Sequence, residues 1–78
     1  MNRHDMKDEA FKLIKSKSQM WGVPKTTIQR RFGITDPSLE HARDDVWKLS
    51  SALAQLVHDG FVTSGLVDGQ LHYFAVSE

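Results

Sequence analysis

Apolar residues between Asp36 and Gly60 recur in steps of three and four: Leu39, Ala42, Val46, Leu49, Leu53, Leu56 and Val57. On a 3.6-residue helix such steps return to one side, so the stretch carries a single apolar stripe that must be buried. Asp36 followed by Pro37 suits a helix start: an acceptor for free N–H groups, then a residue with preset φ and no N–H of its own. Gly60 suits the stop, because it can adopt the left-handed conformation that ends a helix. The span is about seven turns, against a mean of roughly three. Asp44 and Asp45 lie in its middle, and Asp44 is placed to cap a second start. The favoured division is a short helix or turn over Pro37–Arg43 and a main helix from about Asp45 to Asp59. A single continuous helix is the alternative, because the stripe runs through without a change of phase.

The flanking segments supply what the stripe packs against. Met1–Asp5 is expected to be a flexible end. Met6 to about Ser18 predicts a first helix, with Met6, Ala10, Leu13 and Ile14 on one face and Phe11 beside them. Asp8 and Glu9 early and Lys15 and Lys17 late suit its dipole. Gly22 and Pro24 mark a turn, and Met20, Trp21 and Val23 form a short strand or a plug over the core. Thr26–Phe32 predicts a short second helix with Ile28 and Phe32 inward. Gly33-Ile34-Thr35 then turns tightly and drops Ile34 into the core.

After Gly60 the period changes. Phe61–Ser64 and Leu71–Val76 are rich in β-branched and aromatic residues, and Asp68-Gly69 is a two-residue hairpin turn. That turn pairs Val67 with Gln70, Leu66 with Leu71, Ser64 with Tyr73 and Thr63 with Phe74. Leu66, Leu71 and Tyr73 would form an apolar patch on the hairpin. The expected core is Phe11, Ile14, Ile28, Phe32, Leu49, Leu53, Leu56, Phe61 and Phe74. Trp47 is expected to pack against the first helix or the hairpin, and Trp21 to lie over the core.

With 78 residues, 40% of them hydrophobic, the chain is long enough for one small domain, assigned to residues 6–78. It has no cysteine, hence no disulfide framework and no thiolate zinc site. No apolar run approaches the roughly 20 residues of a membrane span. The first ten residues hold no apolar signal core, so a cytoplasmic location and no membrane partner are expected. His4, His41, His58 and His72 show no metal-ligand spacing and are expected at the surface. Asp44 and Asp45 are adjacent and diverge on a helix, so they make a poor acid–base pair. There is no phosphate-cradling glycine motif and no nucleophile elbow. No enzyme activity, metal or cofactor is therefore expected.

The formal net charge is zero, but it is unevenly distributed. No acidic residue lies between Glu9 and Asp36, where Lys12, Lys15, Lys17, Lys25, Arg30 and Arg31 occur. From Leu49 onward there is no lysine or arginine. The basic charge is thus confined to the first part of the chain.

Two stretches carry a resemblance to a known family. TTIQRRFGIT resembles the second helix and the glycine–aliphatic turn of the winged helix-turn-helix family, and LSSALAQLVHDGFV resembles the end of its recognition helix running into the wing. The resemblance implies an α+β fold, mainly α, with three main helices and a C-terminal β-hairpin wing. This chain departs from the family in two ways. The distance from Gly33 to Gly60 is longer by about three helical turns. The wing turn VDGQ carries no cation, and Asp68 at its tip would repel phosphate.

DNA chemistry is placed as follows. Lys25, Thr26 and Thr27 stand at the N-terminus of the second helix, where free N–H groups favour phosphate. Arg30, Arg31 and Arg43 add charge. Asp45, Lys48, Ser51 and Gln55 face water on the main helix, and all but the aspartate can hold phosphate or meet base edges. The expected function is a sequence-specific module for double-stranded DNA, a small transcriptional or replication regulator, with a homodimer reading two half-sites or a partner protein as the further candidate partners. The alternative is a protein–protein interaction module of a larger assembly. It rests on the neutral charge, the acidic wing tip and Glu40, Asp44 and Asp45.

Overall fold

The structure, a computed structural model, describes residues 3–17 and 22–76. In chain order, helix α1 spans Arg3–Lys17, strand β1 Val23–Pro24 and helix α2 Lys25–Arg31. A 3-10 turn over Glu40–Ala42 then leads into helix α3, Arg43–His58, followed by strands β2, Val62–Val67, and β3, Gln70–Ala75. Among the described residues this is an α+β fold, mostly helical, with three α-helices and a three-stranded antiparallel sheet in the order β1-β3-β2.

The break in the long stripe falls where the two aspartates suggested. Asp36, however, starts no helix. Its Oδ1 accepts hydrogen bonds from the Ser38 N–H at 3.0 Å and the Ser38 hydroxyl at 2.6 Å, which closes a local turn. Those bonds hold the Asp36 carboxyl below its ordinary pKa. The short Asx turn wins over a helix start because Ser38 supplies both donors two residues on. Asp44 is not a cap either. Ala42 occupies that position, and Asp44 and Asp45 both lie in the first turn, where their charge suits the positive end of the helix.

Both α2 and α3 end in the same way. Gly60 N–H donates to the Val57 carbonyl at 3.1 Å and Phe61 N–H to the Leu56 carbonyl at 3.0 Å, with Gly60 at φ +81°. This six-to-one pair of bonds uses the last carbonyls of the helix and needs a left-handed residue at its bend. The same pattern joins Gly33 to Arg30 and Ile34 to Gln29, and it delivers Ile34 into the core.

The core lies between α1, α3 and the inner face of the sheet. It holds Met6, Ala10, Ile14, Ile28, Ile34, Leu49, Leu53, Leu56 and Val62, with Val23 and Tyr73 from the sheet. Helix α3 packs mainly on α1, while α2 packs on β1 and β3 and touches α1. Pairing of β2 with β3 follows the register set by the Asp68-Gly69 turn: Val67 with Gln70, Leu66 with Leu71, Ser64 with Tyr73 and Thr63 with Phe74.

Several expectations about burial are corrected. Phe61 is 49% exposed and rests on the rim, its ring 5.4 Å from that of Phe11 and tilted by 54°. Phe11, Phe32 and Phe74 are only half-buried. Tyr73 belongs to no surface patch: β1 adds a third strand beside it, with Val23 opposite, and covers it. Burial pushes the Tyr73 hydroxyl above its ordinary pKa. His72 is likewise buried, opposite Pro24 in β1, and its Nδ1 lies 3.0 Å from the Gln70 carbonyl. The outer ends of the stripe, Leu39 and Val57, are exposed. Helix α1 starts at Arg3, earlier than predicted, so Arg3–Asp5 is helical. The expectations for Met20 and Trp21 lie outside the described residues.

In this sheet order β2 is an edge strand. The Val76 N–H bonds the Phe61 carbonyl at 3.0 Å, which fixes the alternation along the ladder. Thr63, Gly65 and Val67 then bond inward to β3, and the backbone groups of Val62, Ser64 and Leu66 point to the outer edge. Leu66 is 74% exposed, and no residue from Val62 to Val67 is charged.

Candidate nucleic-acid interface

Helix α2 begins directly after Pro24, which has extended backbone (φ −61°, ψ 142°) and makes no side-chain cap bond. The proline cannot continue the strand ladder as a donor, so the chain turns into a helix there. Ile28 and Gln29 turn inward and are buried. This leaves Thr26 and Arg30, four residues apart, together on the exposed side. Lys25 and Thr27 are half-buried. The helix has seven residues, so its N–H end carries little of a macrodipole. Any anion grip at this end rests mainly on the side chains.

The candidate cations differ in availability. Arg31 Nη2 bonds Glu9 Oε2 on α1 at 3.3 Å, and Lys48 Nζ bonds Asp44 Oδ2 one turn earlier on α3 at 3.1 Å. Lys25, Arg30 and Arg43 have no carboxylate partner among the described residues. Gln55 is engaged too: its Nε2 donates to Asp59 Oδ1 at 2.8 Å, and Lys7 Nζ donates to Asp59 Oδ2 at 3.1 Å. These two donors, the lysine first, hold the Asp59 carboxyl below its ordinary pKa.

On α3 the buried stripe of Leu49, Ala52, Leu53 and Leu56 defines the opposite, outward face. Trp47, Ser51, Ala54 and His58 follow in steps of four, three and four along its centre. Lys48 and Gln55 lie on one flank of this line and Arg43 and Ser50 on the other. The expected reading face of Lys48, Ser51 and Gln55 is therefore a single flank that shares Ser51 with the centre. The structure does not bring the α2 group and the α3 group into close packing, since each rests on its own neighbours in the core.

Trp47 is the main correction at this site. It is 67% exposed and packs against neither α1 nor the hairpin core. Two residues before Leu49, it stands about 160° round the helix from the stripe, a position that the helical period alone places on the far side. Its ring lines a cleft of about 580 Å³ between α3 and the segment Pro37–Glu40, whose walls include Leu39, Arg43, Val46 and Ser50. An adjoining recess of about 400 Å³ shares Glu40, Arg43 and Trp47 with it and adds His41 and Asp44.

Among the described residues no group of three or more histidine, aspartate or glutamate side chains is placed to hold a metal ion, and no helix is long and apolar enough to cross a membrane. Comparison of the chain with known protein families, with characterised proteins and with solved structures finds no match.

Proposed function

We propose that this chain is a winged-helix module that binds double-stranded DNA through α2 and α3, as a small non-enzymatic regulator of transcription or replication in the cytoplasm. The fold part of this reading draws support from the element order, helix–strand–helix–helix–hairpin, and from a sheet in which the first strand pairs with the last. The observation that carries the function is the distribution of unpaired charge. Among the described residues Lys25, Arg30 and Arg43 lack carboxylate partners and lie on the two helices that the reading assigns to DNA, while Lys15 and Lys17, also without one, lie on α1. The cations with a recorded carboxylate partner, Lys7, Lys12, Arg31 and Lys48, have their charge offset within the fold. On the hairpin Asp68 is the charged residue of the turn, so the wing adds little.

The three unpaired cations on α2 and α3 imply a modest, salt-sensitive affinity. Each phosphate neutralised contributes about −0.9 to the slope of log K against log salt, so a slope of about −2.7 is expected. A fluorescence anisotropy titration of mixed-sequence duplex at several salt concentrations measures it. No binding at low salt would remove this reading.

A second reading, docking on a partner protein, is favoured by one observation: Trp47 and Leu39 present apolar surface on a cleft that Glu40 also lines, with Asp44 in the adjoining recess. Native mass measurement with and without duplex separates the two, and it also reports any homodimer.

A further inference from the structure

Among the described residues, Trp47 is a large aromatic ring without a structural task. Trp47 stands at the centre of the outward face of α3, two-thirds exposed, although the adjacent Val46 is half-buried against the core. Resting on the DNA-binding reading above, we propose that Trp47 is a specificity-determining residue that meets the 5-methyl group of thymine in the major groove.

The chemistry follows from what surrounds the ring. A major groove offers hydrogen-bonding edges and one apolar feature, the thymine methyl, and an apolar side chain is the group that distinguishes it. One turn before Trp47, Arg43 supplies an unpaired cation for a neighbouring phosphate or guanine edge. One and two turns after it, Ser51 and Ala54 are small, so no bulky side chain holds the helix away from the groove floor. The ring also lines open recesses, which leaves space for a base edge against it. A protein anchor would look different. The cores of protein interfaces are depleted of charge. Around Trp47 the near neighbours on the helix are Arg43, Asp44 and Lys48, with the last two joined as an ion pair.

The test isolates the methyl group. Preferred duplexes are selected from a random-sequence library with the wild-type chain. Each thymine is then replaced in turn by deoxyuridine, which removes only the methyl. One or two replacements should weaken wild-type binding by about fourfold, the value of one buried methyl-sized group. Trp47→Ala and Trp47→Gln, each checked for a wild-type melting curve, should bind the thymine and deoxyuridine duplexes equally. Arg30→Glu should weaken binding to both forms alike and keep the difference between them. If wild type shows no deoxyuridine penalty at any position, or if both Trp47 variants retain it, the inference is wrong while the DNA reading stands. If wild type selects no duplex, the inference falls together with the reading on which it rests.

Discussion

Gly22 has no room for a side chain. It sits at φ +72°, and a Cβ there would lie 2.6 Å from Phe74 Cε1 and 2.9 Å from the Tyr73 carbonyl oxygen. The ring can shift, but the backbone oxygen is fixed by the sheet. Gly22→Ala should therefore cost about 2–5 kcal/mol, summing left-handed strain and overpacking. A thermal melt reports it as a lowered Tm, and an unchanged Tm would refute the close approach. The two neighbouring arginines of α2 should also behave differently. Arg30 has no carboxylate partner, while Arg31 is bonded to Glu9. Arg30→Glu should weaken DNA binding and flatten its salt dependence by about one phosphate. Arg31→Glu should act more on the α1–α2 contact, by placing a glutamate beside Glu9. Binding titrations paired with melts on both variants give the comparison. Equal losses of affinity with no change in stability would show the two arginines to be equivalent.

Helix α3 illustrates what was visible in advance and what was not. The Leu49–Leu53–Leu56 stripe, the Gly60 stop and the hairpin register depend on local chemistry: side-chain period, left-handed glycine and a two-residue turn. Such features can be read from neighbours in the chain. The exposure of Trp47 and Phe61 and the burial of Tyr73 and His72 depend on partners far away in sequence. Tyr73 is covered because Val23 arrives from fifty residues earlier to pair with it. The candidate cations were legible as residue types, but their pairing with Glu9 and Asp44 decided which remain available. The C-terminal end of α3 offers a test of one such distant contact. Lys7 on α1 and Gln55 both donate to Asp59, and the lowered pKa of Asp59 makes this contact pH-dependent. A carboxyl depressed on folding adds stability that is fully present above its unfolded value, about 3.9, and is lost as pH falls through the folded value. Asp59→Asn should melt below wild type at pH 6, and the gap should close as the pH drops under about 4. A gap of constant size down to pH 3 would mean that the charge of Asp59 contributes nothing.

At the scale of the whole molecule, neutrality and asymmetry coexist. Positive charge is concentrated in the first part of the chain, and the hairpin has none. A chain with no net charge has weak long-range repulsion between copies, so its colloidal stability depends on local features. The outer edge of β2 is such a feature. Natural sheets commonly guard their edges with lysine, proline or a bulge, and the Val62–Val67 segment contains no lysine and no proline. At high concentration the hairpin is accordingly the place where one molecule can template the next, strand upon strand, with Leu66 as the adhesive side chain. Leu66→Lys should leave the unfolding free energy within about 0.5 kcal/mol of the parent, as a surface change does. It should also delay turbidity in a concentrated, neutral, low-salt solution held near 37 °C. Should parent and variant cloud at the same rate, the edge is already silent in solution. If the variant stays clear, the hairpin of this small domain sets the upper limit on how densely it can be stored or crowded.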